Sequence, residues 1–99
     1  METQGTFKES VKNRVREPKK YRVVMFNDDF TTMEFVVDIL IDIFNKNKDD
    51  ANTLMMTVHK SGMAVVAVYP YDIALTKVNK ATELAKKKGF PFRMKIEEV

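Results

Sequence analysis

The sequence predicts an α+β fold: a two-layer sandwich of order β-α-α-β-α-β, in which a three-stranded antiparallel sheet carries three helices on one face. Three observations lead there. Apolar residues recur every three or four positions in three separate stretches, as one buried helix face requires. Short runs rich in β-branched and aromatic residues stand before, between and after those stretches. A length of 99 residues, 44% of them apolar, suffices for one small core and no second one.

Residues 1–20 hold few apolar side chains, Phe7, Val11 and Val15 among them, and end in EPKK. Pro18 there discourages a helix from running on, so the segment reads as a flexible N-terminal extension ahead of a core domain at 21–99. The first strand is YRVVMF, Tyr21 to Phe26, bounded by the polar NDD. Thr31 and Glu34 then have the spacing of a capping box, which starts a helix at Thr31. Val36, Ile39, Leu40, Ile43 and Phe44 form its apolar stripe, and NKNKDD ends it.

Asp49 or Asp50 is the expected N-cap of a second, shorter helix. Its stripe is Ala51, Leu54, Met55 and Val58, and Gly62 supplies a left-handed C-cap. MAVVAVY, Met63 to Tyr69, is the second strand, closed by Pro70. Ala74, Val78, Ala81 and Ala85 mark a third helix from Tyr71 to about Lys88, with Lys86, Lys87 and Lys88 at its negative end. Gly89 caps it and Pro91 forbids its continuation. In the last strand, FRMKIE, Phe92, Met94 and Ile96 alternate with Arg93, Lys95 and Glu97, as in a sheet with one wet face.

Composition narrows the function. The chain has no cysteine, hence no disulfide framework, thiolate metal site or thiolate nucleophile. The net charge of +3 belongs wholly to residues 1–20, with six basic and three acidic side chains, while residues 21–99 carry eleven of each sign. A neutral body argues against nucleic acid as a partner, because that affinity rests on a clustered positive face. No run approaches the length of a membrane span, and METQGTFKES lacks the pattern of a signal peptide. The cytoplasm is therefore the expected compartment, with no membrane partner.

Asn27, Asp28 and Asp29 sit directly between two apolar runs, and His59 is the only histidine. A turn between strand and helix accounts for the three polar residues. Three site readings compete with it. A metal site needs at least three placed ligands, which one His and two adjacent, diverging Asp do not supply. A small acid-base hydrolase using Asp28 or Asp29 with His59 is the alternative function, but no nucleophile motif, phosphate loop or cofactor signature accompanies it. A cation site fits better. A primary ammonium has three donors and no acceptor, so it calls for an Asn carbonyl oxygen, a carboxylate and a neutral imidazole nitrogen. Met33, Met55 and Met56 flank this group, and Met55 shares a helix face with His59. Methionine fills core gaps, and it also lines adaptable apolar pockets.

NDDFTTMEFVVDIL, LMMTVHKSG, VAVYPYDIALTKV and the terminal FPFRMKIEEV together resemble the ClpS family, bacterial adaptors that hand N-degron substrates to the Clp ATP-dependent protease. The likeness spans about residues 20–99 without a gap and implies the same sandwich. It implies a non-enzymatic adaptor with no metal or cofactor, whose partners are proteins exposing Leu, Phe, Tyr or Trp as first residue and the N-terminal domain of a ClpA-like AAA+ ATPase. By this resemblance Asn27, Asp28 and His59 hold the substrate's α-amino group, and Asp29 and Thr31 lie near its first peptide units. Met33, Val36, Met55, Val58 and Phe92 line the pocket for the first side chain, with Met33 excluding β-branched residues. Asp72 and Lys77 match the ATPase-docking surface, and the extension matches the segment that the ATPase engages during delivery. Two positions depart from the family pattern. Thr32 stands where Pro is usual, which implies a less rigid loop, and Phe92 stands where a smaller aliphatic is common, which implies a shallower pocket.

Overall fold

The computed structural model describes residues 19–99; the extension, with the ATPase-engaging role the resemblance gives it, lies outside them up to residue 18. Six elements form in the expected order: β1 (Lys20–Phe26), α1 (Met33–Asp42), α2 (Lys48–Ser61), β2 (Met63–Pro70), α3 (Tyr71–Lys87) and β3 (Met94–Glu98). The sheet is antiparallel with β1 in the centre, in the order β2-β1-β3. Strand alternation sends Val23 and Met25 of β1 into one core with Phe35, Val36, Ile39 and Leu40 of α1, Ala51 and Val58 of α2, and Ala74, Val78, Ala81 and Ala85 of α3. Fully burying side chains of this size stabilises the fold by about 1.5 to 3 kcal/mol each.

On the opposite face Arg22 reaches Glu97 at 3.5 Å and Lys95 reaches Glu97 at 3.1 Å, exposed pairs that add little stability. The pairing slips between Val23 and Val24, opposite Ala67 and Val65, which leaves Val66 as an extra residue in β2. This bulge lets Val66 stay buried beside Ala67 on the helix side, where strict alternation would turn one of them outward.

The helix starts differ from the expected ones. Helix α1 is capped by Thr32, whose hydroxyl accepts the Phe35 N–H at 3.1 Å, and not by a Thr31–Glu34 box. Thr31 is occupied elsewhere, as its hydroxyl donates to Asp28. Helix α2 is capped by Asn47, which accepts the Asp50 N–H at 2.8 Å. Asp49 and Asp50 are instead in the first turn, where the helix dipole favours them.

The helix ends follow the sequence more closely. Gly62 caps α2 with φ 90. After α3, Gly89 takes φ 79, its N–H donates to the Lys86 carbonyl and the Phe90 N–H to the Ala85 carbonyl, the two bonds of a Schellman motif. Phe35 then holds the segment that follows, with its ring 5.2 Å from that of Phe90 and 5.9 Å from that of Phe92, both edge-on. Strand β3 starts at Met94, two residues after the expected Phe92.

Candidate functional site

The polar loop after β1 owes its shape to Asp28. Its Oδ1 accepts the N–H groups of Phe30 at 2.9 Å and Thr31 at 2.7 Å, and its Oδ2 accepts the Thr31 hydroxyl at 2.7 Å. An Asp that bonds the backbone two and three residues on makes a tight turn, so the turn reading of NDD is correct for this residue. Burial is the largest single influence on the Asp28 carboxyl and pushes its pKa up. The Thr31 hydroxyl, the N–H groups of Thr31 and Phe30, and the Arg93 charge together outweigh it and hold the pKa below the ordinary 3.8. Asp28 is an ionised carboxylate at neutral pH.

Two backbone bonds bring the far sequence to this loop. Gly62 ends α2 by donating its N–H to the Val58 carbonyl at 2.9 Å, and its own carbonyl accepts the Asn27 N–H, also at 2.9 Å. The last turn of α2, with His59 on it, is thereby fixed to the end of β1. The result is a pocket of about 250 Å³ lined by Asn27, Asp28, Asp29, Thr31, Met33, Val36, Met55, Val58 and His59. Val36 and Val58 are buried and form its floor, Met55 is half-buried, and Met33, Asn27, Asp29 and His59 are exposed at its rim. Acceptors at the mouth above an apolar floor can hold a cation attached to a hydrocarbon group.

Of the residues expected here, Phe92 and Met56 lie elsewhere, Met56 in a shallow cleft with Asn52, Thr53 and Lys60. Phe92 is 6% exposed, packed in the core against Phe35, and does not line this pocket. Its burial was expected, but Phe92 precedes β3 and meets Phe35 away from the pocket, and an apolar pattern does not say which neighbours a buried side chain meets. Sequence reading missed Arg93, whose guanidinium lies 5.3 Å from the Phe26 ring centre and whose charge reaches Asp28. Its distance along the chain from Asp28 gives no spacing signal.

Asp72 and Lys77 meet in a second cleft, of about 450 Å³, together with Asp42, Ile43 and Asn45. The Lys77 ammonium donates to the Ile43 carbonyl at 2.6 Å and the Asn45 Oδ1 at 3.1 Å, and stands 5.6 Å from the centre of the Tyr69 ring. Asn45, at φ 59, was not singled out from the sequence. An Asn just past the last apolar position of a helix was the available sign. Among the described residues no group of three or more His, Cys, Asp or Glu is arranged to hold a metal ion, and no helix is long and apolar enough to cross a membrane.

The family model of the ATP-dependent Clp protease adaptor protein ClpS matches residues 16–95. The chain belongs to the ClpS family. Among its ClpS relatives, the ATP-dependent Clp protease adapter protein of Clostridium acetobutylicum is 45% identical over the full length of both chains. That of Treponema denticola is 53% identical, covering 84% of this chain and 82% of its own. Among solved structures, that of Agrobacterium tumefaciens ClpS2 bound to L-phenylalaninamide matches with a TM-score of 0.80 and 43% identity, covering 84% of this chain and all of that one. The ClpS resemblance read from the sequence and the α+β sandwich are therefore both correct. Membership in a family of adaptors leaves the hydrolase reading of Asp28, Asp29 and His59 without support.

Proposed function

We propose that this chain is a non-enzymatic adaptor that binds proteins through a free α-amino group on a large apolar first residue, Leu, Phe, Tyr or Trp, and delivers them to the Clp protease. The observation that carries the reading is the joining, in one pocket, of the acceptors Asn27, Asp28 and His59 with the apolar walls Met33, Val36, Met55 and Val58. L-phenylalaninamide, the ligand of the solved ClpS2 relative, has a free amino group on a large apolar residue.

In this reading the α-ammonium donates to Asn27, Asp28 and His59, and the first side chain enters between Val36, Met55 and Val58. Met33 crowds the entrance against β-branched residues, and Asp29 and Thr31 flank the first peptide unit. Hydrogen bonds to charged groups contribute about 1.5 to 3 kcal/mol each, and burial of a Leu- or Phe-sized side chain adds about 1.5 to 3 kcal/mol. Ordering of the peptide offsets much of that sum, which leaves affinity of about micromolar strength or better. Neither half of the contact suffices alone, so specificity requires both.

The cleft of Asp72 and Lys77 is the docking surface for the N-terminal domain of a ClpA-like AAA+ ATPase. It shares no lining residue with the peptide pocket, which leaves both free to be occupied together. Such an adaptor works in the cytoplasm with its protease, without cofactor, nucleic acid or membrane. The deciding experiment is a fluorescence titration of the full chain with two peptides that begin with Phe, one with a free amino group and one acetylated. Binding of the first and loss of the second is the expected result. Equal affinities would overturn the reading, because acetylation removes the charge and two donors while leaving the side chain intact.

A further inference from the structure

An ionised carboxylate offers about four acceptor sites, two on each oxygen. On Asp28 the N–H groups of Phe30 and Thr31 fill both sites of Oδ1, and the Thr31 hydroxyl takes one of Oδ2. One site remains for a ligand. Its direction is set by the plane of the carboxylate, a torsion that is soft in a free Asp side chain. Contacts to Oδ1 fix the position of that oxygen and leave the plane less constrained. A donor on Oδ2, held by the same residue whose N–H reaches Oδ1, fixes both oxygens. Threonine suits this task, because its branched Cβ limits the χ1 rotation of the hydroxyl, and a hydroxyl bonded to a carboxylate makes a strong, charge-assisted bond.

We infer that Thr31 is a positioning residue, whose hydroxyl orients Asp28 so that the single open site of Oδ2 meets the incoming α-ammonium. The inference deepens the adaptor reading and rests on it. It adds a duty to the place near the first peptide unit that the family resemblance implies for Thr31. With its one proton committed to Asp28, the hydroxyl has none to donate to a substrate carbonyl. The division of labour at the pocket mouth follows. Asn27 and His59 are the acceptors with sites to spare, while Asp28 supplies charge and one directed bond. The charged and titratable groups around Asp28 are Asp29 on the same loop, His59 on α2 and Arg93 ahead of β3.

The test uses Thr31→Ser, which keeps the donor, and Thr31→Val, which keeps the shape. Each full chain is titrated with the free-amine Phe peptide at about pH 7.5, where the carboxylate is ionised, and its Asp28 carboxyl is followed by carbon-13 titration. Thr31→Ser is expected to bind within about threefold of the parent, and Thr31→Val about tenfold more weakly, a factor equal to about 1.4 kcal/mol. The Asp28 carboxyl of Thr31→Val is expected to titrate at a higher pH than the parent's, since a donor that favours the ionised carboxylate is gone.

Parent-like binding by Thr31→Val, an unmoved carboxyl titration, or equal losses in the two variants would overturn the assignment. Carbon-13 titration of the Asp28 carboxyl in the parent and in Thr31→Ser decides the case if Thr31→Val does not fold: a titration at or above 3.8 in the parent overturns it. A parent that ignores the free-amine peptide is a failure of the adaptor reading, and the carboxyl titration still reports on the Thr31 contact.

Discussion

Lys77 on α3 donates to the carbonyl of Ile43, the residue that caps α1, at 2.6 Å. That carbonyl belongs to the last turn of a helix, where acceptors lack partners within the helix and cations are favoured. The same ammonium reaches the Asn45 side chain. Lys77 therefore joins α1 to α3 besides lining the proposed docking cleft. Lys77→Ala is expected to lower stability by about 1.5 to 3 kcal/mol, the range for a lost bond to a charged donor. A lowered thermal midpoint with the isolated adaptor measures this. An unchanged midpoint with lost ATPase binding assigns Lys77 to docking alone.

Two neighbouring threonines have separate duties, and mutation separates them. Thr32→Ala removes the N-cap of α1 and is expected to cost about 1 kcal/mol in urea unfolding. Glu34→Ala is expected to cost less than Thr32→Ala, because no capping box uses that carboxylate. A loss with Glu34→Ala as large as that with Thr32→Ala would restore the box.

Gly62 has room for a methyl group, with nothing within 4 Å of a built Cβ, yet its φ is +90. The cost of Gly62→Ala is thus backbone strain of about 1 to 2 kcal/mol, not collision. Strain at this residue acts on the carbonyl that holds the Asn27 N–H, so peptide affinity is expected to fall along with the thermal midpoint. Undiminished affinity in the folded variant would show that the Asn27–Gly62 bond does not fix the pocket.

Acid reveals the bonds of Asp28. Its carboxyl titrates below 3.8 in the fold and at the ordinary value when unfolded. Its stabilisation is complete above the unfolded pKa and is lost as pH falls through the lower, folded one. Asp28→Ala is therefore expected to be less stable than the parent near neutral pH, with the difference shrinking as the pH falls below about 4. Urea titrations across that range supply the measurement, and a constant difference would contradict it.

The sequence by itself determined which kind of element each stretch becomes, because period-four and period-two burial are properties of the chain's own geometry. It also determined the family, and Gly62 and Gly89 as helix ends, since only a residue without Cβ takes those angles readily. Tertiary structure decided what depended on competition. Asp28, held near Thr31, takes the hydroxyl that a capping box needs, and Thr32 inherits the helix. Val66 becomes an extra strand residue, buried beside the partly buried Ala67 on the helix side. Phe92 joins Phe35 in the core and not the peptide pocket, a choice between two apolar sites that a hydrophobic pattern does not distinguish. Asn27 and His59 share a pocket because the Gly62 carbonyl accepts a hydrogen bond from Asn27. Partners so far apart along the chain are chosen by packing of the whole fold.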